Sequence, residues 1–126
     1  MAGVIYDPAK DELFVAERGK GAYLNNRRLR VSGRTDMADA LVAYGSPYLG
    51  RGDHPKLLRE VSAVMAVTGG ARRFGSAALD LAYVACGRSD LYWERDLQTW
   101  DIAAGIILVR EAGGFVTSAD GGAEPL

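Results

Sequence analysis

The chain has 126 residues, of which 48% are hydrophobic, 25% charged and 9% aromatic, with a formal net charge of −1. That is an ordinary globular composition, long enough for one domain, or part of one, with a sizeable core. Near-balanced, interspersed charge argues against non-specific nucleic-acid or membrane binding as the main business.

The first thirty residues read as a meander. GVIYD and ELFVAE are short β-rich runs separated by the turn residues of PAKD, and GAYLNNRRLRVS gives two more strands around Asn25-Asn26. The doublets Arg27-Arg28 and Arg72-Arg73 are too short for a basic tract and read as solvated surface. ALVAYGS is a further, buried strand, and PYLGRGDHP is a loop holding the only histidine, His54. With no second histidine or cysteine for a zinc set, His54 reads as an exposed turn residue.

Leu57, Val61, Val64 and Met65 then fall on one helical face. ARRFG is a short strand candidate. SAALDLAYVACG is a second helix, with Ser76 as N-cap, Ala77, Leu81, Val84 and Ala85 on one face and Gly87 as the stop. The single cysteine, Cys86, excludes an internal disulfide, suits a reducing compartment and reads as a buried structural thiol. DLYWE is an aromatic strand. Thr99 caps a third helix, Trp100 to Ala112, Gly113-Gly114 ends it, and Phe115-Val116-Thr117 starts a last strand.

Meander strands followed by alternating helices and strands predict an α/β fold of one structural unit, a mixed sheet flanked by helices. No apolar stretch approaches the ~20 residues that span a bilayer. No secretory signal is visible, so the expected location is the cytoplasm. Both ends lie flush with strand-like runs, so the chain reads as cut from something longer.

Three features carry chemistry. Asp101, in TWDIAAG, is the only charge from Leu97 to Leu108. It is either a first-turn residue, favoured by the helix dipole by ~0.3–1 kcal/mol, or a carboxylate kept for a positive partner in a partly dry site. Glu94 follows the aromatic strand, at the kind of strand end where α/β sites lie. It either faces a cleft together with Asp101 or pairs with a surface arginine such as Arg95. Two carboxylates suit Mg²⁺ or Ca²⁺ but are too few for a complete site. Gly75, Ser76 and Ala77 open the second helix with free N–H groups, which is either an anion site or an ordinary N-cap.

Together these residues reach a family. ERDLQTWDIAAGIILVREAGG closely resembles the C-terminal signature of the inositol monophosphatase family, W-D-x-A-A-G followed by E-A-G-G. GVIYDPAKDELFVAERGKGAYLNNRRLRVS resembles the family's central strands, and RRFGSAALDLAYVACGRSDLYWE the segment before the signature. The resemblance implies an αβαβα sandwich that hydrolyses phosphomonoesters with Mg²⁺. It implies Asp101 as a metal ligand and Glu94 as the acid that takes substrate hydroxyls. Gly75, Ser76 and Ala77 become the substrate-contacting loop and helix start, and Ser46 a further serine on the substrate side.

The family's D-P-[IL]-D-G-T motif is absent: YDPAKDE has Asp7 and Pro8 but neither the Gly-Thr nor the spacing. The upstream helices and the final helix are also missing, so the resemblance implies residues 1–126 as a C-terminal portion that is inactive alone, with no catalytic group beyond the metal ligand. The implied partner is a small phosphorylated substrate such as inositol monophosphate; histidinol phosphate, fructose bisphosphate and nucleotide bisphosphates are the other substrate candidates. No nucleic acid or membrane partner is expected, and a homodimer is. A different class of reading, a non-catalytic ligand- or protein-binding module, stays open.

Overall fold

A computed structural model of the chain describes residues 1–122. The meander forms as β1 (Ala2–Asp7), β2 (Glu12–Glu17), β3 (Gly21–Leu24) and β4 (Arg27–Arg28), an antiparallel sheet in that order. Its last hairpin turns on Asn25 and Asn26, both at positive φ (46° and 66°), the backbone a two-residue primed turn demands. The Asn25 side chain holds the turn in place, accepting from the Leu13 N–H at 2.8 Å and donating to the Asp11 carbonyl at 3.0 Å.

The remaining strands, β5 (Leu41–Tyr44), β6 (Gly70–Arg72) and β7 (Leu91–Trp93), form a second, parallel sheet with β5 in the centre. The α/β class is as predicted, with the strands divided between two sheets instead of one mixed sheet. Parallel strands need crossover connections, which α1 (His54–Met65) and α2 (Ala77–Ala85) provide. The third helix, α3, spans Thr99–Glu111.

Helices α2 and α3 pack on each other; α3 lies along β1, β2 and β3, α2 also touches β7, and α1 rests on β6. The core is where the helix pair meets the antiparallel sheet: Ile5, Phe14, Ala16 and Ala22 face Leu81, Ala82, Ile106, Leu108 and Val109. Gly105 permits the close helix crossing, because a Cβ there would lie 2.4 Å from Leu81 Cδ1 and 2.6 Å from Leu81 Cβ. Glu111, the acid of E-A-G-G, ties the end of α3 to the β2–β3 turn by accepting from the N–H groups of Gly19 and Gly21, both at 2.9 Å.

Four expectations change in detail. The N-cap of α3 is Gln98, not Thr99, because Asp101 takes the Gln98 N–H and starts the helix one residue earlier. Phe115-Val116-Thr117 forms no strand: no described strand pairs with it, and Phe115 is 94% exposed. The apolar face of α1 is only half covered, with Leu57, Val61 and Val64 half-buried and Met65 exposed. Cys86 is half-buried and not fully so, its thiol donating to the Tyr83 carbonyl and pushed up in pKa mainly by burial. His54 is exposed, as predicted, at the first residue of α1. Among the described residues no helix is long and apolar enough to cross a membrane.

Candidate active site

The predicted residues gather at one end of the parallel sheet. Tyr44 of β5 stands opposite Trp93 of β7 in register, with their rings stacked 5.4 Å apart. The next residue along each strand is therefore Gly45 beside Glu94, and the Gly45 N–H donates to the Trp93 carbonyl at 3.1 Å. The pair is tightly fitted. A Cβ on Gly45 would sit 1.9 Å from the Glu94 carboxylate carbon, so the carboxylate occupies the space a side chain would take. Gly45 and Glu94 both line a small cavity of about 40 Å³, together with Pro47, Trp93 and Asp96.

Glu94 does not pair with Arg95. Arg95 bonds Glu60 of α1 at 2.5 Å, and the partner of Glu94 is the hydroxyl of Tyr92, two residues back on the same side of the strand. Burial first, then that bond and the charges of Glu94, Asp80 and Asp101, raise the Tyr92 phenol. Asp101, seven residues on from Glu94, belongs to the first turn of α3, the helix that follows β7.

Asp101 closes the first turn of α3: the Gln98 N–H donates to its Oδ2 at 3.0 Å. The first-turn reading is thus correct, and it leaves Oδ1 for another partner. At α2, Gly75 has φ +90°, and Ser76 caps the helix by accepting from the Leu79 N–H at 3.4 Å. The first-turn N–H groups after it have no intrahelical acceptor and suit an anion. Ser46 is linked to the same corner, its Oγ accepting from Arg73 Nε at 2.6 Å. Arg73, read from sequence as solvated surface, is thus engaged with Ser46.

Sequence reasoning gave no role to Asp80, Tyr92 and Gly45. Asp80 is fully buried, and neither of its oxygens has a hydrogen-bond partner among the described residues. Burial, then the charge of Glu94, push its carboxyl up to about 7 against a pull from Arg73. A signal was present: Asp80 falls three residues after Ala77 and four before Val84, on the face that otherwise reads as apolar. Tyr92 and Gly45 carried none, since their importance arises only where two strands meet.

The donors present do not make a magnesium site by themselves. Among the described residues no three His, Cys, Asp or Glu side chains cluster to hold a metal. Mg²⁺ demands near-octahedral oxygen coordination, and one Asp101 oxygen meets little of it. The larger cavity, about 490 Å³ and lined by Lys10, Glu12, Phe74 and Arg88 among others, includes none of the predicted residues.

The model of the inositol monophosphatase family matches residues 1–126. The chain belongs to the inositol monophosphatase family. It is 59% identical to an inositol-1-monophosphatase of Mesorhizobium japonicum, covering 100% of this chain and 47% of that protein. It is 48% identical over 122 residues to a protein of Xylella fastidiosa named Nus factor SuhB, covering 97% of this chain and 44% of that one. Among solved structures it is similar to the extragenic suppressor protein suhB of Bartonella henselae (59% identity, TM-score 0.93, 97% of this chain and 46% of that one). It is likewise similar to the inositol monophosphatase of Anabaena (47% identity, TM-score 0.91, 97% and 48%). The chain thus spans about half the length of the curated relatives it matches.

Proposed function

We propose that the protein carrying this chain hydrolyses phosphomonoesters of small polyols such as inositol, with Mg²⁺ as cofactor, and that this chain contributes the substrate-binding side and one metal ligand. The observation that carries it is Glu94 held at the strand end by Tyr92 and Gly45, with Asp101 in the first turn of the helix that follows.

Glu94 offers a carboxylate to substrate hydroxyls. Gly75, Ser76 and Ala77 offer N–H groups and a helix dipole to the phosphate, and Arg73 beside Ser46 adds positive charge. When bound, Mg²⁺ in such enzymes polarises phosphate oxygens and activates water. Asp101 Oδ1 suits one position on it, and the other ligands must come from beyond residues 1–122. This chain, which spans about half the length of its curated relatives, is accordingly inactive alone.

The test is direct. Purified chain, free of host phosphatases, is assayed with Mg²⁺ and inositol 1-phosphate beside the full-length protein. Activity confined to the full-length protein is expected, and turnover by the short chain would refute the reading. Histidinol phosphate, fructose bisphosphate and nucleotide bisphosphates in the same assay fix the substrate.

A protein-binding role is the second reading. It is favoured by exposed Val4, Tyr6 and Leu13 on the outer face of the antiparallel sheet and by relatives named Nus factor SuhB. The same face suits the proposed homodimer, and sedimentation of the full-length protein distinguishes the two. A cytoplasmic location of the full-length protein is part of this reading.

A further inference from the structure

Among the described residues no arginine, lysine or histidine forms an ion pair with Glu94. Arg95, the adjacent candidate, is engaged by Glu60 at 2.5 Å, and the hydrogen bond the Glu94 carboxylate makes among the described residues is the one from the Tyr92 hydroxyl to Oε2. Its position is fixed from the other side by Gly45, whose missing Cβ leaves the space the carboxylate fills. An arginine would neutralise the carboxylate and occupy both oxygens through its fork. A phenol is a neutral, single donor, so it orients the group and leaves Oε1 with full accepting power.

We propose that Tyr92 is a positioning residue that fixes the Glu94 carboxylate with one oxygen offered to substrate hydroxyls, and so determines selectivity for polyol phosphates over phosphomonoesters lacking hydroxyls. The inference rests on the reading of Glu94 as the acceptor of substrate hydroxyls. It deepens that reading by making the selectivity depend on a phenol and on the absence of a side chain at position 45. Tyr92 is half-buried and Gly45 buried, so neither contributes its role through solvent.

The experiment compares inositol 1-phosphate with phenyl phosphate, which has no hydroxyl to offer, in the full-length protein. Tyr92→Phe removes the donor with minimal change of shape. It should lower the ratio of kcat/KM for inositol 1-phosphate to that for phenyl phosphate roughly tenfold, through KM, as expected for loss of one hydrogen bond to a charged group. Gly45→Ala is the independent variant. Position 45 is not at positive φ, and the nearest atoms to the new methyl are the Glu94 carboxylate itself, so the fold tolerates it while the carboxylate is displaced. It should lower the same ratio.

Glu94→Gln calibrates both. A ratio lowered by Glu94→Gln, with Tyr92→Phe adding little on that background, supports the proposal. A ratio lowered by Glu94→Gln but not by Tyr92→Phe overturns the role of Tyr92 alone. A ratio unmoved by Glu94→Gln overturns the reading of Glu94. Equal losses on both substrates from Tyr92→Phe mark a merely structural tyrosine and also overturn the proposal.

Discussion

The backbone N–H of Gln98 donates to Oδ2 of Asp101 at 3.0 Å, so the only charge between Leu97 and Leu108 closes the first turn of α3. Being a helix-start residue and being a metal ligand are compatible, since the cap uses one carboxylate oxygen. The two roles separate by substitution. Asp101→Asn keeps an oxygen acceptor and loses the charge at the helix N-terminus, a cost of ~0.3–1 kcal/mol. Asp101→Ala loses the bond as well, ~0.5–2 kcal/mol. Chemical denaturation measures both. If Asp101 also holds metal, phosphatase activity of the full-length Asp101→Asn protein falls by a hundredfold or more on the order expected for loss of a metal-site group, far beyond its small loss of stability.

Asp80 predicts an unusual pH dependence. Its folded-state pKa, about 7, lies above the ordinary 3.8 of an unfolded aspartate. Between those values the folded state binds the extra proton, so stability falls as pH rises from about 4 to 7 and is level beyond. The full effect is on the order of 4 kcal/mol. Urea unfolding across pH 4 to 8 should show this decline, and Asp80→Asn should flatten it, making the variant the more stable protein at pH 8.

The crossing of α2 and α3 rests on Gly105. Gly105→Ala gains up to ~1 kcal/mol of helix propensity. It also sets a methyl 2.6 Å from Leu81 Cβ, an atom that moves only with its helix. Overpacking of this kind costs ~1–3 kcal/mol. A lowered urea midpoint with unchanged m-value is expected, and Leu81→Ala, which keeps the Cβ and removes core volume, should not restore it.

Glu111 works in the opposite pH sense from Asp80. The N–H groups of Gly19 and Gly21 hold its carboxyl below the ordinary glutamate range. A depressed folded-state pKa gives stability that is present above the unfolded value and lost as pH falls through the folded one. Glu111→Gln should therefore be less stable than the parent at neutral pH, and the two should converge on acidification below about 4. Thermal melts at pH 7 and pH 3 test this.

Much of the fold was legible because it rests on local rules. Asn25-Asn26 announces a primed turn, Ser76 a cap and Gly113 a stop, and each does that in the structure. The division into two sheets was not legible, since strand pairing is decided by partners distant in sequence. Phe115 shows the same limit: a β-prone run forms no strand when no described strand pairs with it. At the site, Asp101, Glu94 and Ser76 stood out as charge or capping side chains in apolar surroundings. Gly45 and Tyr92 did not, because one acts by lacking a side chain and the other by reaching a neighbour two residues on.

The pairing of Tyr44 with Trp93 has one more consequence. Because Gly45 and Glu94 are the next residues on two hydrogen-bonded strands, their meeting works as a vernier for β5 and β7. A slip of one residue moves β7 by about 3.3 Å and turns Glu94 to the opposite face of the sheet. The chain would still bury most of its core, which lies against the other sheet. Polyol selectivity would thus report misthreading that bulk measures of foldedness pass over.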